Sequence, residues 1–192
     1  MGDACQPPET QGLMALAKLL RRSTAPDAAS RLYVELVKQA RRTEFFTDCG
    51  VPDTVRGRFE MIALHVFLVL HRLKQDHHES ARLAQELFDV MFDDMDRNLR
   101  EMGTGDLAVG KRVRRLAREF YGRIAAYEAG LERDQETLGA TLARNLYGTA
   151  GADAACLKAM AGYMRREAEA LAAVPLAQLL EARVAFGPPP AP

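Results

Sequence analysis

Residues 53–73 read Asp-Thr-Val-Arg-Gly-Arg-Phe-Glu-Met-Ile-Ala-Leu-His-Val-Phe-Leu-Val-Leu-His-Arg-Leu. Val55, Phe59, Ile62, Val66, Leu70 and Leu73 recur at helical spacing, which predicts a helix capped by Asp53 or Thr54. Met61, Leu64 and Leu68 cover a second side. A helix that is apolar on two sides must be enclosed by other elements, so this one is expected to be central.

Outward from that helix the same period continues. Asp27 or Ser30 can cap a preceding helix that runs to about Phe46, with Leu32, Leu36 and Ala40 on its apolar side and Gly50 and Pro52 ending it. Asp76, His77 and His78 are expected to turn the chain into a helix from about Glu79 to Met102. Its buried face is Leu87, Phe88, Met91, Met95, Leu99 and Met102. Gly103 and Gly105 break it, and Val109, Val113, Leu116, Phe120, Ile124 and Tyr127 define the next helix. Weaker, alanine-rich helices follow over about 134–147 and 153–172, with a short one after Pro175. Nothing alternates like a strand, so the fold class is all-α: a single multi-helix domain of about six to seven helices. It is expected over residues 11–186, between a disordered N-terminus (1–10) and a disordered Pro-rich tail (187–192).

Composition narrows the function classes. The 192 residues suit one domain, and 26 basic against 26 acidic residues exclude a globally basic nucleic-acid binder. Cys5, Cys49 and Cys156 are too few and scattered for a disulfide framework or a CxxC zinc site, which fits a reducing compartment. Met61 to Leu70, the longest apolar run, is interrupted by His65 and falls short of the ~20 residues of a membrane span. The opening MGDACQPPET has neither the basic start nor the apolar stretch of an export signal.

Several motifs resemble catalytic ones and fail on context. Gly105-Asp-Leu-Ala-Val-Gly-Lys-Arg112 is one residue from a phosphate-binding loop, and Gly103 to Ala108 has dinucleotide-fingerprint spacing. Both need a preceding strand, whereas a helix is expected here. Serines occur only at 23, 30 and 80, without a nucleophile elbow; a Cys49/His65 pair is the remaining nucleophile option. No catalytic residue, metal or cofactor is assigned.

Charged residues form three candidate partner-contact groups. Arg58, His65 and Arg72 are seven apart, so on a helix they fall within about 40° of one another on an apolar cylinder. An internal partner on the row Asp89, Asp93 and Asp96 of a neighbouring helix is expected for Arg58, and an external one for Arg72. Asp89, Asp93 and Asp96 project along one line of the third main helix and read as a solvated or partner-facing edge. As an alternative they would need His65 or Glu60 to complete a metal site. Residues 86–106 carry net −5 and residues 111–123 net +5. Lys111, Arg114, Arg115 and Arg118 lie opposite the apolar stripe and face solvent or an anionic surface, either membrane or ribosomal RNA. No aromatic residue interleaves with them, so base stacking is unsupported. A further alternative is a peripheral membrane adaptor in which Leu13, Met14, Leu16, Leu19 and Leu20 with Lys18, Arg21 and Arg22 form an interfacial helix.

Longer strings carry a resemblance. Gly50-Val-Pro-Asp-Thr, Gly57-Arg-Phe-Glu, Leu64-His65, Leu87-Phe-Asp-Val-Met-Phe-Asp-Asp-Met-Asp96, Leu99-Arg-Glu-Met-Gly103, Gly105-Asp106 and Phe120-Tyr-Gly-Arg123 with Ala126-Tyr127 occur in an order that resembles the ubiquinol-cytochrome c chaperones. The likeness covers about residues 30–130 and extends more faintly beyond. Thr104, where an apolar residue is usual, departs from the pattern, and the lack of a mitochondrial presequence suggests a bacterial member.

The resemblance implies a non-enzymatic assembly factor of the cytochrome bc1 complex. Such a protein binds newly made cytochrome b until haem and partner subunits are added. Mitochondrial members also use a small partner protein and dock near the ribosomal tunnel exit. The implied location is cytoplasmic, or peripheral on the cytoplasmic face of the inner membrane. A holding chaperone needs an adaptable apolar face, which Met91, Met95 and Met102 can help to supply, although methionines at helical spacing also suit a core.

Overall fold

A computed structural model describes residues 27–101, 103 and 106–191. The expectations for residues 1–26, including the interfacial helix over Leu13–Arg22, and for Met102, Thr104, Gly105 and Pro192 lie outside them. Among the described residues every regular element is helical. The order is α1 (Ala28–Ala40), α2 (Glu44–Thr47), α3 (Val55–Leu73), a 3-10 turn (Lys74–Asp76), α4 (His77–Glu101) and α5 (Asp106–Glu132). After these come α6 (Gln135–Leu142), a π turn (Ala143–Tyr147), a 3-10 turn (Gly148–Ala150), α7 (Ala154–Ala172) and α8 (Leu176–Leu180).

Helix α3 is the hub. Every residue from Glu60 to Val69 is buried, and the helix touches α1, α4, α5 and α7. Thr54 is its N-cap and accepts from the Gly57 amide at 3.0 Å. Position 57 must lack a side chain, because a Cβ there would lie 1.9 Å from the Pro52 carbonyl oxygen. The loop that delivers Asp53 and Thr54 can therefore fold tightly over the start of α3.

Three boundaries differ from expectation. The first helix stops at Ala40, and α2 starts afresh at Glu44. Ala40 and Phe45 are both fully buried, yet on one continuous helix they would point about 140° apart; the break buries both. The turn after α3 is Lys74–Asp76, with His77 and His78 already helical and exposed. Ser80 sets this by donating to the Leu73 carbonyl at 2.6 Å. The tail, expected to be disordered, is held over residues 187–190. Gly187 donates to Glu167 at 2.9 Å, while the carbonyls of Gly187, Pro188 and Pro190 accept from Gln39, Arg166 and Cys49. Proline lacks an N–H but keeps its carbonyl, and side-chain donors from the folded domain reach it.

Aromatic packing joins α4 to α5. Phe88 and Phe92 lie 4.6 Å apart between ring centres, and Phe120 sits within about 6 Å of both. These contacts hold the two helices as neighbouring walls of the site described next.

Candidate functional site

A groove of about 580 Å³ opens between α1, α3, α4 and α5. Phe59 and Ile62 of α3, Met91, Met95 and Leu99 of α4, and Leu116 of α5 make it apolar. Arg41, Arg56, Arg58, Arg112 and Arg115 also line it, so its rim is cationic. Met91 is buried and Met95 half-buried; both bridge core and groove, and their flexible thioethers allow the wall to adjust. On one side Tyr33 donates to Asp94 at 2.9 Å, and burial, reinforced by that carboxylate, pushes its phenol well above the usual range.

Glu60, 1% exposed, meets the groove from α3. Its Oε1 accepts from Arg123 Nη2 at 2.5 Å, and Arg123 is itself 6% exposed. The pair is only half satisfied. Glu60 Oε2, Arg123 Nε and Nη1 and the Tyr127 hydroxyl are buried without a hydrogen-bond partner among the described residues. Burial pushes the Glu60 carboxyl up to about 7, against the opposing pull of Arg123, and raises the Tyr127 phenol as well.

The expected cationic line of α3 is not one surface. Arg58 is 59% exposed and pairs with Asp53 at 2.6 Å, in the loop that caps its own helix, not with the aspartates of α4. An arginine on the first turn reaches back to the capping loop more readily than across to another helix. His65 is fully buried. Its Nδ1 lies 2.8 Å from the Met61 carbonyl and its Nε2 2.8 Å from the Tyr163 hydroxyl. Because a carbonyl can only accept, Nδ1 carries the proton and Nε2 accepts from Tyr163, whose oxygen accepts in turn from Gln39 at 3.0 Å. Burial lowers the imidazole to about 4. Arg72 is buried too: it pairs with Asp76 at 2.6 Å and donates to the Val174 carbonyl beyond α7 at 2.8 Å. Its partners are internal, correcting the external assignment. His65 and Arg72 are thus withdrawn from any partner-facing line.

Asp89 and Asp93 are exposed and Asp96 half-buried on α4. Asp89 accepts from Gln85, and Asp96 pairs with Arg100. Neither His65 nor Glu60 turns toward them, and among the described residues no three potential ligands cluster. The alternative metal arrangement therefore lacks the groups that were to complete it. Cys49 donates to the Pro190 carbonyl, and its thiol is pushed up to about 11 by burial and nearby Cys156, while both nitrogens of His65 are bonded elsewhere. The Cys49/His65 pair is not assembled. From Asp106 the near-match to a phosphate loop is already helix, so Gly110 and Lys111 lie inside α5.

Lys111, Arg114, Arg115 and Arg118 are exposed on α5. Arg112 and Arg115 belong both to this basic strip and to the groove's rim. The sequence reading missed the groove and the Glu60–Arg123 pair. A signal existed: an acid inside an apolar run, and Arg123 beside the stripe that carries Phe120 and Tyr127.

Comparison with known proteins agrees with this architecture. The ubiquinol-cytochrome C chaperone family matches residues 47–186, so the chain belongs to that family of bc1-complex assembly factors. The ubiquinol-cytochrome-c reductase complex assembly factor 1 of Xenopus laevis is 29% identical over 144 residues, covering 75% of this chain and 72% of that protein. Its Homo sapiens counterpart is 28% identical, and the chain spans about half the length of that relative, 48%. The crystal structure of the Cbp3 homolog from Brucella abortus superposes with a TM-score of 0.77 at 33% identity, covering 93% of this chain and 97% of that one. No described helix is long and apolar enough to cross a membrane.

Proposed function

We propose that this protein holds newly synthesised cytochrome b and promotes its incorporation into the ubiquinol-cytochrome c reductase (bc1) complex, acting as a chaperone and not as an enzyme. The observation that carries the reading is the family match over residues 47–186, which includes the α3, α4 and α5 walls of the groove. A holding site for a hydrophobic client needs apolar area that can repack, and the Met91/Met95 wall supplies it. The arginine rim would suit acidic or polar ends of a client segment. A small partner protein and the ribosome are further contacts that the family resemblance implies. The Asp89, Asp93 and Asp96 edge and the α5 bases are the charged surfaces available for them, and the action would take place in the cytoplasm or at the cytoplasmic face of the inner membrane.

Deletion of the gene is expected to deplete assembled bc1 complex with cytochrome b transcription intact, and tagged protein is expected to capture cytochrome b from membranes. Normal bc1 spectra in the deletion strain would sink the reading.

A further inference from the structure

Helix α5 carries a cationic face that the fold does not use. Lys111, Arg114, Arg115 and Arg118 are exposed and fall within about 100° of arc. Arg115 has one long contact, 3.6 Å, to Glu119, while Lys111, Arg114 and Arg118 have no ion pair among the described residues. No acid of α4 forms an ion pair with the strip among the described residues: Asp96 pairs with Arg100, and Asp89 accepts from Gln85, along α4 itself. Like charges gathered this closely repel one another, and an anionic partner relieves that repulsion.

Two features beside the strip identify the partner. At its inner edge Arg112 and Arg115 turn into the rim of the apolar groove, so cationic surface and apolar recess are continuous. At its far end Tyr121, 60% exposed, rests against Phe88 at 5.4 Å. A tyrosine exposed beside basic residues suits the headgroup level of a bilayer, where an amphipathic ring satisfies both neighbours. No aromatic ring lies between Lys111 and Arg118 to serve as a stacking platform for nucleobases.

We propose that the Lys111–Arg118 face of α5 docks on the surface of an anionic phospholipid bilayer, the bases meeting lipid phosphates and the mouth of the groove opening at the headgroup layer. The proposal goes beyond the assembly reading, on which it rests only for its purpose: a chaperone seated this way receives an apolar client where it enters the membrane.

Flotation of the purified chain with synthetic vesicles tests it. The protein should rise with vesicles containing phosphatidylglycerol, remain behind with phosphatidylcholine alone, and detach in high salt. Each basic residue close to such a surface contributes roughly fivefold to partitioning, so K111Q/R114Q/R118Q should lose on the order of a hundredfold. Arg114→Gln and Arg118→Gln alone should each lose roughly fivefold. Lys158→Gln, on exposed α7 surface, should bind like wild type. Equal binding to neutral vesicles, no binding to anionic ones, or a triple variant that floats as well as wild type while melting normally would overturn the proposal. So would tight binding to a ribosomal RNA fragment by protein that ignores the vesicles. Only purified protein and lipid are present, so failure here leaves the cytochrome b reading standing, and normal bc1 levels in a deletion strain would leave this one standing.

Discussion

Glu60 and His65 lie five residues apart on the same buried helix, and the structure treats them in opposite ways. Around His65 each polar atom is used: Gln39 donates to Tyr163, Tyr163 to His65, and His65 to the Met61 carbonyl. The chain's last residues close over this cluster, with Phe186 packed edge-on against the imidazole at 5.1 Å. Around Glu60 one strong bond to Arg123 leaves several buried polar atoms without partners among the described residues, and the carboxylate borders a groove. A fully bonded neutral network stabilises one packing. A half-bonded charged pair beside a groove leaves a site where solvent or a bound segment can supply the missing partners. The first region builds the fold, and the second is where the fold meets something else.

Removing Arg123 tests that contrast most severely. Arg123→Ala strands a buried carboxylate and is expected to cost about 3–5 kcal/mol in urea unfolding, with a larger loss at pH 8 than at pH 5, where Glu60 can take up a proton. A variant that melts like wild type at both pH values would mean that Glu60 does not depend on Arg123. Tyr163→Phe attacks the other region. It leaves His65 Nε2 without its donor and should cost ~1–3 kcal/mol, less than Arg123→Ala because no net charge is stranded.

The pH dependence separates the two regions by sign. The folded-state value of Glu60, about 7, is above its ordinary value, so the folded state binds more proton and stability falls as pH rises from about 4.5 to 7. That of His65, about 4, is below its ordinary value, so the unfolded state binds more proton and stability falls as pH drops from about 6.5 to 4. Each slope reaches at most about 1.4 kcal/mol per pH unit, and between about pH 4.5 and 6.5 they oppose each other. Glu60→Gln should therefore leave a protein that gains stability with rising pH in that window, and His65→Gln one that loses it. Parallel slopes for both variants would refute the assignment. The smallest effect is expected for Arg58→Ala, whose exposed pair with Asp53 is screened by solvent, so the melting temperature should stay close to that of wild type. A drop comparable to that of Arg123→Ala would restore an internal partner for Arg58.

Helix type, helix order and the central place of α3 follow from the sequence, because apolar periodicity records which face each helix must hide and Thr54 marks where α3 can begin. The long strings between Gly50 and Tyr127 were enough to suggest the family, since side-chain identities at many ordered positions are local information. Spacing also placed Lys111, Arg114, Arg115 and Arg118 on the solvent side of their helix, opposite Val109 and Phe120. It could not say which neighbour each charged residue meets. Arg58, His65 and Arg72 share a helical line, yet one bonds a capping loop, one a tyrosine on α7 and one the backbone beyond α7. Those partners lie up to about a hundred residues away along the chain, at |i−j| = 98 for His65 and 102 for Arg72. The groove is likewise a property of four packed helices and belongs to none of them. Periodicity is a relation between residues a few positions apart, whereas a partner or a cavity is a relation between surfaces that only folding brings together.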